Sequence, residues 1–347
     1  MDRIAQLPSA DRGDLFRIAS EKKGNTSSRI IEKDFWIVWT LKHLFDLQEF
    51  PDLVLRGGTT LAKAYHVTQR FSEDIDLAIE RGFFQFDDAE IFNSRTSSQR
   101  NTLLGRLERQ CRDYIQDTLR PLLLERYQEA LGLDNISLET EQGQLTRLIF
   151  IYPMSLGEEY DVPGYVSPSI SIELSARPSF APNESRTIRP YAADYFGDEF
   201  VQPECVVRVL RAERTFCEKL TMLHKYADRQ PAGGERISRH YYDIFMLLNQ
   251  RSMLTVASSG EMLPATVVYM NAFYHQPSAK YDDIVSGNLR LVPLGERRNR
   301  LEADYRLMEE MIFGEIPPLE RLLEELERLE NIINSRFTAS AGIDVEG

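Results

Sequence analysis

Apolar positions along the chain fall at two spacings, helical in some stretches and strand-like in others, and the alternation between them outlines the elements. From 13 to 47 they recur at helical intervals around a polar capping segment at Asn25 to Ser28. The stretch leads into Asp34-Phe35-Trp36-Ile37-Val38-Trp39, an apolar-aromatic run that must be buried. Leu53-Val54-Leu55 is short and continuous, as in a buried strand. Gly57-Gly58 reads as a turn and Thr59 to His66 as a short helix. Ile75 to Ile79 is a second strand, which puts Asp74 and Asp76 at or near its start and close to the glycine turn.

A long helix is expected over Gln99 to Leu131, where Leu103, Leu104, Leu107, Cys111, Tyr114, Ile115 and Leu119 keep helical spacing, with a kink at Arg120-Pro121. Strands follow at Ile136 to Glu139, Leu145 to Tyr152 and Ser169 to Ser175, with a loop over 156 to 168. Cys205 to Leu210 is the last strand predicted. Beyond it the pattern is helical: Arg214 to Tyr226, Ser238 to Leu248, Gly260 to Tyr274, and an amphipathic pair, Glu296 to Phe313 and Pro318 to Phe337, joined by Gly314 to Pro317. The pair is expected to pack on its own domain, with packing on a partner as the alternative, and Ala339 to Gly347 to be a frayed tail. The fold class is α+β: a small mixed β-sheet with flanking helices and a helical C-terminal region. Residues 1–203 form the first domain and 204–347 the second.

The length of 347 residues suits two domains of about 150 residues each. Cys111, Cys205 and Cys217 are scattered, which fits neither a disulfide framework nor a zinc site and points to a reducing, cytoplasmic setting. No stretch approaches the ~20 apolar residues of a membrane span, so no membrane partner is expected. A net charge of -13, from 41 basic and 54 acidic residues, opposes a broad electrostatic grip on phosphate backbones but leaves room for a local basic patch. Basic residues gather at 211 to 214 with Lys219 and Lys225, and at 296 to 300, where a solvated helix face is the simpler reading. Histidines 43, 66, 224, 240 and 275 show no zinc spacing. The absence of GxSxG, a Walker lysine loop and an extended GxGxxG removes hydrolase and dehydrogenase readings.

Candidate chemistry concentrates in Arg56-Gly57-Gly58-Thr59-Thr60-Leu61 and Arg70-Phe71-Ser72-Glu73-Asp74-Ile75-Asp76-Leu77. Carboxylates at i and i+2 of a strand share a face. Magnesium takes one or two protein carboxylates and fills its remaining positions with water and phosphate oxygens, so the Asp74/Asp76 pair suits a metal-NTP complex. Gly57 and Gly58, without Cβ atoms, let backbone N–H groups approach a phosphate, and Thr59 adds a hydroxyl donor. Only 16 residues separate Gly58 from Asp74, so turn and metal strand are linked by one short helix.

These motifs resemble the signature of the AbiEii/AbiGii toxin family of nucleotidyltransferases, within the DNA polymerase beta-like superfamily. The resemblance continues through Thr215-Phe216-Cys217-Glu218-Lys219-Leu220 and Arg239-His240-Tyr241-Tyr242-Asp243-Ile244, covering about 30 to 250. It implies that Gly57, Gly58 and Thr59 meet the triphosphate, that Asp74 and Asp76 hold Mg2+, that Lys219 meets a nucleotide phosphate and that Asp243 supports catalysis. Lys219 and Asp243 would thus be the second domain's contribution to the cleft. Thr215 and Glu218 are candidates to cap the Lys219 helix, one turn ahead of the lysine. A buried Asp243 needs a partner such as Arg239 or Lys219, and a purely structural Lys219–Asp243 ion pair is the alternative reading. Superfamily enzymes commonly use a third carboxylate. Glu173 is the candidate for that metal and catalytic role, on the polar Ser171, Glu173, Ser175 face of its strand, with an outward, solvated Glu as the alternative.

The activity implied is transfer of an NMP from an NTP to an acceptor hydroxyl with release of pyrophosphate, the acceptor being tRNA or a protein. Glu173 and Asp243 are the candidate bases. The resemblance further implies the toxin of a toxin-antitoxin or phage-defence pair, with a cognate antitoxin as partner. The competing reading is a catalytically silent NTP- or partner-binding protein on the same scaffold, favoured if Lys219 and Asp243 merely pair.

Overall fold

The computed structural model describes residues 1–24, 26–47, 50–161, 166–197, 199–228, 236–259 and 261–343. They divide into two compact units. The first comprises Met1–His66 and Phe71–Leu210, the second Val67–Arg70 and Arg211–Gly347.

The first unit is built on a seven-stranded mixed sheet. Its strands are β1 (Leu53–Arg56), β2 (Asp74–Ile79), β3 (Ser137–Glu141), β4 (Gln144–Ile151), β5 (Ser169–Ser175), β6 (Asn183–Ile188) and β7 (Cys205–Leu210), in the order β3-β4-β5-β2-β1-β7-β6. β2 runs antiparallel to β1 and parallel to β5, while β1 runs parallel to β7. β6 escapes sequence reading because Asn183-Glu184-Ser185-Arg186-Thr187-Ile188 is polar. It is an edge strand with one neighbour, so little of it has to be apolar.

The helix Ser28–Phe45 is the axis of this unit, with all but a few of its residues buried. Ser27 caps it by accepting from the Ile30 N–H at 3.4 Å, whereas Asn25 lies outside the described residues. Trp36 stacks on Tyr152 with ring centroids 5.5 Å apart, and Trp39 on Phe150 at 5.8 Å, which locks the helix onto β4. Three consecutive charged residues, Glu32, Lys33 and Asp34, are buried as well. Each therefore has to find a partner in a different direction.

The long helix forms as Ser97–Tyr114, a wider π-helical turn at Ile115–Leu119, and Arg120–Leu131. Pro121 has no N–H and its ring crowds the carbonyl of the preceding turn, and the widened turn falls just ahead of it. Gly132 ends the helix in the left-handed conformation, φ 64. Within the expected loop over 156 to 168 a short helix, Gly157–Tyr160, forms, and residues 162–165 lie outside the described residues.

The second unit is helical: Ala212–Asp228, Ser238–Leu248, Arg251–Ser259, Met262–Phe273, Tyr281–Val285, Glu296–Met308 and Leu319–Ile343. Its short segment Val67–Arg70 is held by an antiparallel bridge between Arg70 and Ile312 and by the Phe313 N–H donating to the Gln69 carbonyl at 2.8 Å. Leu319–Ile343 packs on its own unit through Leu322, Leu326, Leu329 and Ile333, all buried. The expected fraying from Ala339 does not occur before Ile343, where the described residues end. Among the described residues no helix is long and apolar enough to cross a membrane.

Candidate active site

The glycine turn and the aspartate strand meet side by side in the first unit. β1 ends at Arg56, the register partner of Asp76, and Gly57 follows in the left-handed region at φ +74. A Cβ at Gly57 would collide with the Asp76 carboxylate. The dihedral favours glycine here, and any larger residue would also push the Asp76 carboxylate aside. Helical backbone then runs through Gly57–Thr59 into a π-helical turn, Thr60–Ala64.

On β2, Ile75 and Leu77 point into the core while Asp74 and Asp76 lie half-buried on the opposite face. Glu173 of β5 is the register partner of Asp76, and Arg147 of β4 that of Glu173. One row across four strands thus reads Arg147, Glu173, Asp76, Arg56. Arg147 donates to the Glu173 carboxylate at 2.6 Å and pairs with Glu141 at 3.1 Å. Burial would lower the Arg147 guanidinium, but the carboxylates of Glu173, Glu141 and Asp74 outweigh it and raise it. Among the described residues, no three of His, Cys, Asp or Glu are grouped so as to hold a metal. Asp74 and Asp76 are two hard oxygen donors on one face, a set that fits magnesium when substrate phosphates complete the shell. Glu173 adjoins them with its carboxylate on Arg147.

Thr59 is fully buried; its hydroxyl donates to the Asp74 carbonyl and lies 3.1 Å from Ser72 Oγ, from which it can accept. The hydroxyl expected to meet phosphate instead ties the glycine turn to the first residue of β2. A phosphate at this turn would be met by backbone N–H groups.

Two buried ion pairs clamp the same segment to the axial helix. Lys33 donates to Glu73 at 3.0 Å, one residue ahead of Asp74. Lys63, at the end of the π-helical turn, donates to Asp34 at 2.7 Å, and Asp34 also accepts the Tyr191 N–H at 2.7 Å. The Lys63 ammonium sits 3.6 Å from the centroid of the Tyr191 ring. Burial pushes the Asp34 carboxyl up and the Lys63 ammonium down, each restrained by the other's charge. Glu32 accepts the Ser155 N–H, and burial pushes its carboxyl up.

The second unit holds its own charged cluster. Asp243, fully buried, accepts from Arg70 Nε at 2.7 Å and Nη2 at 2.8 Å and pairs with Lys219 at 3.0 Å. Burial would raise this carboxyl, but Arg70 and Lys219 override it and hold it well below the usual carboxylate range, which makes it a weak base. Lys219 is 5% exposed, and its ammonium also meets His240 Nδ1 at 3.1 Å. Burial, then the charges of Lys219 and Arg239, push His240 well below its ordinary value, so Nδ1 acts as a neutral acceptor. The partners of Asp243 expected from sequence were Arg239 or Lys219; Arg70 takes the bidentate position. The Lys219 helix starts at Ala212, earlier than Arg214, so Lys219 lies two turns inside it. Glu218 accepts from Arg214 at 3.1 Å within that helix.

The match to known proteins spans nearly all of this. The profile of the family described as nucleotidyl transferase AbiEii toxin, Type IV TA system, matches residues 39–333. The chain belongs to this AbiEii family. Among solved structures it resembles MenT4, the nucleotidyltransferase toxin Rv2826c from Mycobacterium tuberculosis H37Rv, at 15% identity and a TM-score of 0.45, over 93% of this chain and 98% of that one. No curated protein matches the chain. The AbiEii span takes in the glycine turn, β2, Lys219 and Asp243, and extends past 250, where the motifs of the sequence end.

Sequence reading missed Arg70, Arg147 and the clamps of Lys33 and Lys63. Arg70 was visible only as a charge beside Phe71. Its role needs Asp243, 173 positions away. Arg147 alternates with Leu148 and Phe150 on β4, which put it on the polar face, but nothing local named Glu173 as its partner. Cys111, Cys205 and Cys217 are free and buried, and burial pushes each thiol up to about 12, which removes them as nucleophiles.

Proposed function

We propose that this AbiEii-family chain transfers an NMP from an NTP to an acceptor hydroxyl, with Asp74 and Asp76 as the ligands of Mg2+. One observation carries the reading: a Cβ at Gly57 would collide with the Asp76 carboxylate, so phosphate turn and metal strand are a single construction. Magnesium, when bound, supplies charge neutralisation of the triphosphate and acidification of the attacking hydroxyl. The backbone N–H groups after Gly57 and Gly58 orient the phosphates. Arg56, in register with Asp76, and Arg147 are the cations of the same row. The acceptor oxygen bonds to the α-phosphorus, the bond from that phosphorus to the β-phosphate oxygen breaks, and pyrophosphate leaves. The hydroxyl proton passes to a base, for which Glu173 is a better candidate than Asp243, because two cations depress Asp243. In the alternative role Glu173 would be a third metal ligand instead of the base, which requires Arg147 to turn aside.

The family description supports the further reading that the chain is the toxin of a toxin-antitoxin system with a cognate antitoxin protein. A cytoplasmic setting, a role in phage defence, and tRNA or a protein as the acceptor complete the proposal. The silent-binder reading draws on one observation, the Lys219–Asp243 pair. The test is incubation with each labelled NTP, magnesium and total cellular RNA, alongside Asp74→Asn. Metal-dependent NTP consumption that Asp74→Asn lowers by about 1,000-fold or more supports the enzyme. Retained turnover in that variant removes the metal assignment, and no NTP consumption by the wild type favours the binder.

A further inference from the structure

Four buried charges, Lys33, Asp34, Lys63 and Glu73, hold the segment that carries the glycine turn and the aspartate strand, and none takes part in the transfer itself. The first two are successive residues of the axial helix Ser28–Phe45 and point about 100° apart, as neighbours on a helix do. Lys33 donates to Glu73 at 3.0 Å and Lys63 to Asp34 at 2.7 Å. Lys63 stands on the helical backbone that opens at Gly57, and Glu73 directly precedes Asp74, the first residue of β2. One helix therefore grips the segment at two places, behind the phosphate turn and ahead of the metal strand.

Stability does not account for the pairs. Charges taken out of water gain little net stability by pairing, and a buried pair is often replaced by apolar residues of similar volume without loss. What a hydrogen-bonded charge pair adds over an apolar contact is direction. The signs also fix the partners: an exchange would set Lys33 against Lys63 and Asp34 against Glu73, like against like. Only one seating of the segment satisfies all four charges. Asp34 also accepts the Tyr191 N–H at 2.7 Å, and the Lys63 ammonium lies 3.6 Å from the centroid of the Tyr191 ring, so this anchor is itself restrained. The Thr59 hydroxyl, donating to the Asp74 carbonyl, is a third attachment. One attachment would let turn and strand pivot about it, whereas three fix both their separation and their angle.

We propose that Lys33 and Asp34 are positioning residues for nucleotidyl transfer. Acting through Glu73 and Lys63, they set the backbone N–H groups of the glycine turn against the carboxylates of Asp74 and Asp76, so that a magnesium–triphosphate complex meets a seat formed in advance. The assignment rests on the nucleotidyltransferase reading above and adds residues that touch neither metal nor substrate.

The experiment removes the charges in pairs. Lys33→Met with Glu73→Leu replaces the first pair. Lys63→Met with Asp34→Asn replaces the second and keeps an acceptor for the Tyr191 N–H. The control is Glu32→Gln, buried on the same helix but bonded to the Ser155 N–H outside the segment. Each full chain is followed by urea unfolding, by Mn2+ binding with each of the four α,β-methylene ribonucleoside triphosphates, read by electron paramagnetic resonance, and by magnesium-dependent pyrophosphate release from the NTPs. Both paired variants should unfold at the wild-type urea midpoint, bind Mn2+ with the analogue about 10–100-fold more weakly and lose about 100-fold in kcat. Glu32→Gln should bind and turn over as the wild type. Where a pair fails to fold, Glu73→Asp or Asp34→Glu keeps both charges and changes that clamp by one methylene, and should still weaken Mn2+ binding about tenfold. Wild-type Mn2+ binding in the clamp variants, or an equal loss in Glu32→Gln, overturns the proposal. If the wild type binds Mn2+ with the analogue but releases no pyrophosphate, while the clamp variants bind weakly, the catalytic reading fails and the seat stands. If turnover depends on Asp74 and the clamp variants keep it, the positioning assignment alone fails. No Mn2+ binding by the wild type overturns both.

Discussion

Gly57→Ala separates the mechanical requirement at the glycine turn from ordinary backbone strain. Gly57 has φ +74, and a left-handed alanine costs about 1–2 kcal/mol whatever its surroundings. The new methyl would also overlap the Asp76 carboxylate and force it aside. Misplacing a reacting group by about 1 Å costs on the order of 100-fold in rate, close to 3 kcal/mol of barrier. Gly132→Ala is the matched control: φ is +64 there, and a Cβ would meet nothing within 4 Å. Urea unfolding should give both variants a similar loss of about 1–2 kcal/mol. Magnesium-dependent pyrophosphate release should fall about 100-fold in Gly57→Ala and stay within about twofold of wild type in Gly132→Ala. Equal activity in the two variants would refute the claim that Gly57 is needed to seat Asp76.

The buried cluster of the second unit predicts a ranking: Asp243→Asn leaves Arg70 and Lys219 without their counter-charge and should cost about 3–5 kcal/mol in urea unfolding, while Lys219→Met keeps the bidentate Arg70–Asp243 pair and should cost clearly less. The reverse order would overturn the assignment of Arg70 as the principal partner. His240 gives a pH dependence. Its folded pKa is lowered, so the unfolded chain binds more protons below about 6.5 and stability falls as pH falls, by about 1 kcal/mol between pH 6.5 and 5.5. His240→Gln should flatten that part of the unfolding profile, and an unchanged slope would assign the loss elsewhere. Asp243 acts at more acid pH. Its folded pKa is depressed, so its stabilisation is present above the unfolded value of 3.8 and is lost as pH drops further.

Much of the site was legible because its determinants are local. The alternation of Asp74, Ile75, Asp76 and Leu77 says which side chains share a face, and a strand here obeys it. Adjacent glycines between a strand and a helix announce a turn, and Gly57 occupies the left-handed conformation that only such a residue tolerates cheaply. The same logic placed Ile170, Ile172 and Leu174 inward on β5 and left Glu173 on the polar face. Local patterning failed where packing supplied the reason. β6 is polar because it is an edge, and the π-helical turn at Ile115–Leu119 has no separate signal beyond Pro121.

By itself the sequence determined the order of most elements, the shared face of Asp74 and Asp76, the glycine turn ahead of them and, through those motifs, the family. Tertiary structure alone decided which charges meet: Arg70 with Asp243, Arg147 with Glu173, Lys33 with Glu73, Lys63 with Asp34, and the inward turn of the Thr59 hydroxyl. Backbone periodicity is written in each short segment. A buried charge, in contrast, is stable only beside whichever opposite charge the folded chain brings within about 3 Å, and no short window of sequence contains that neighbour.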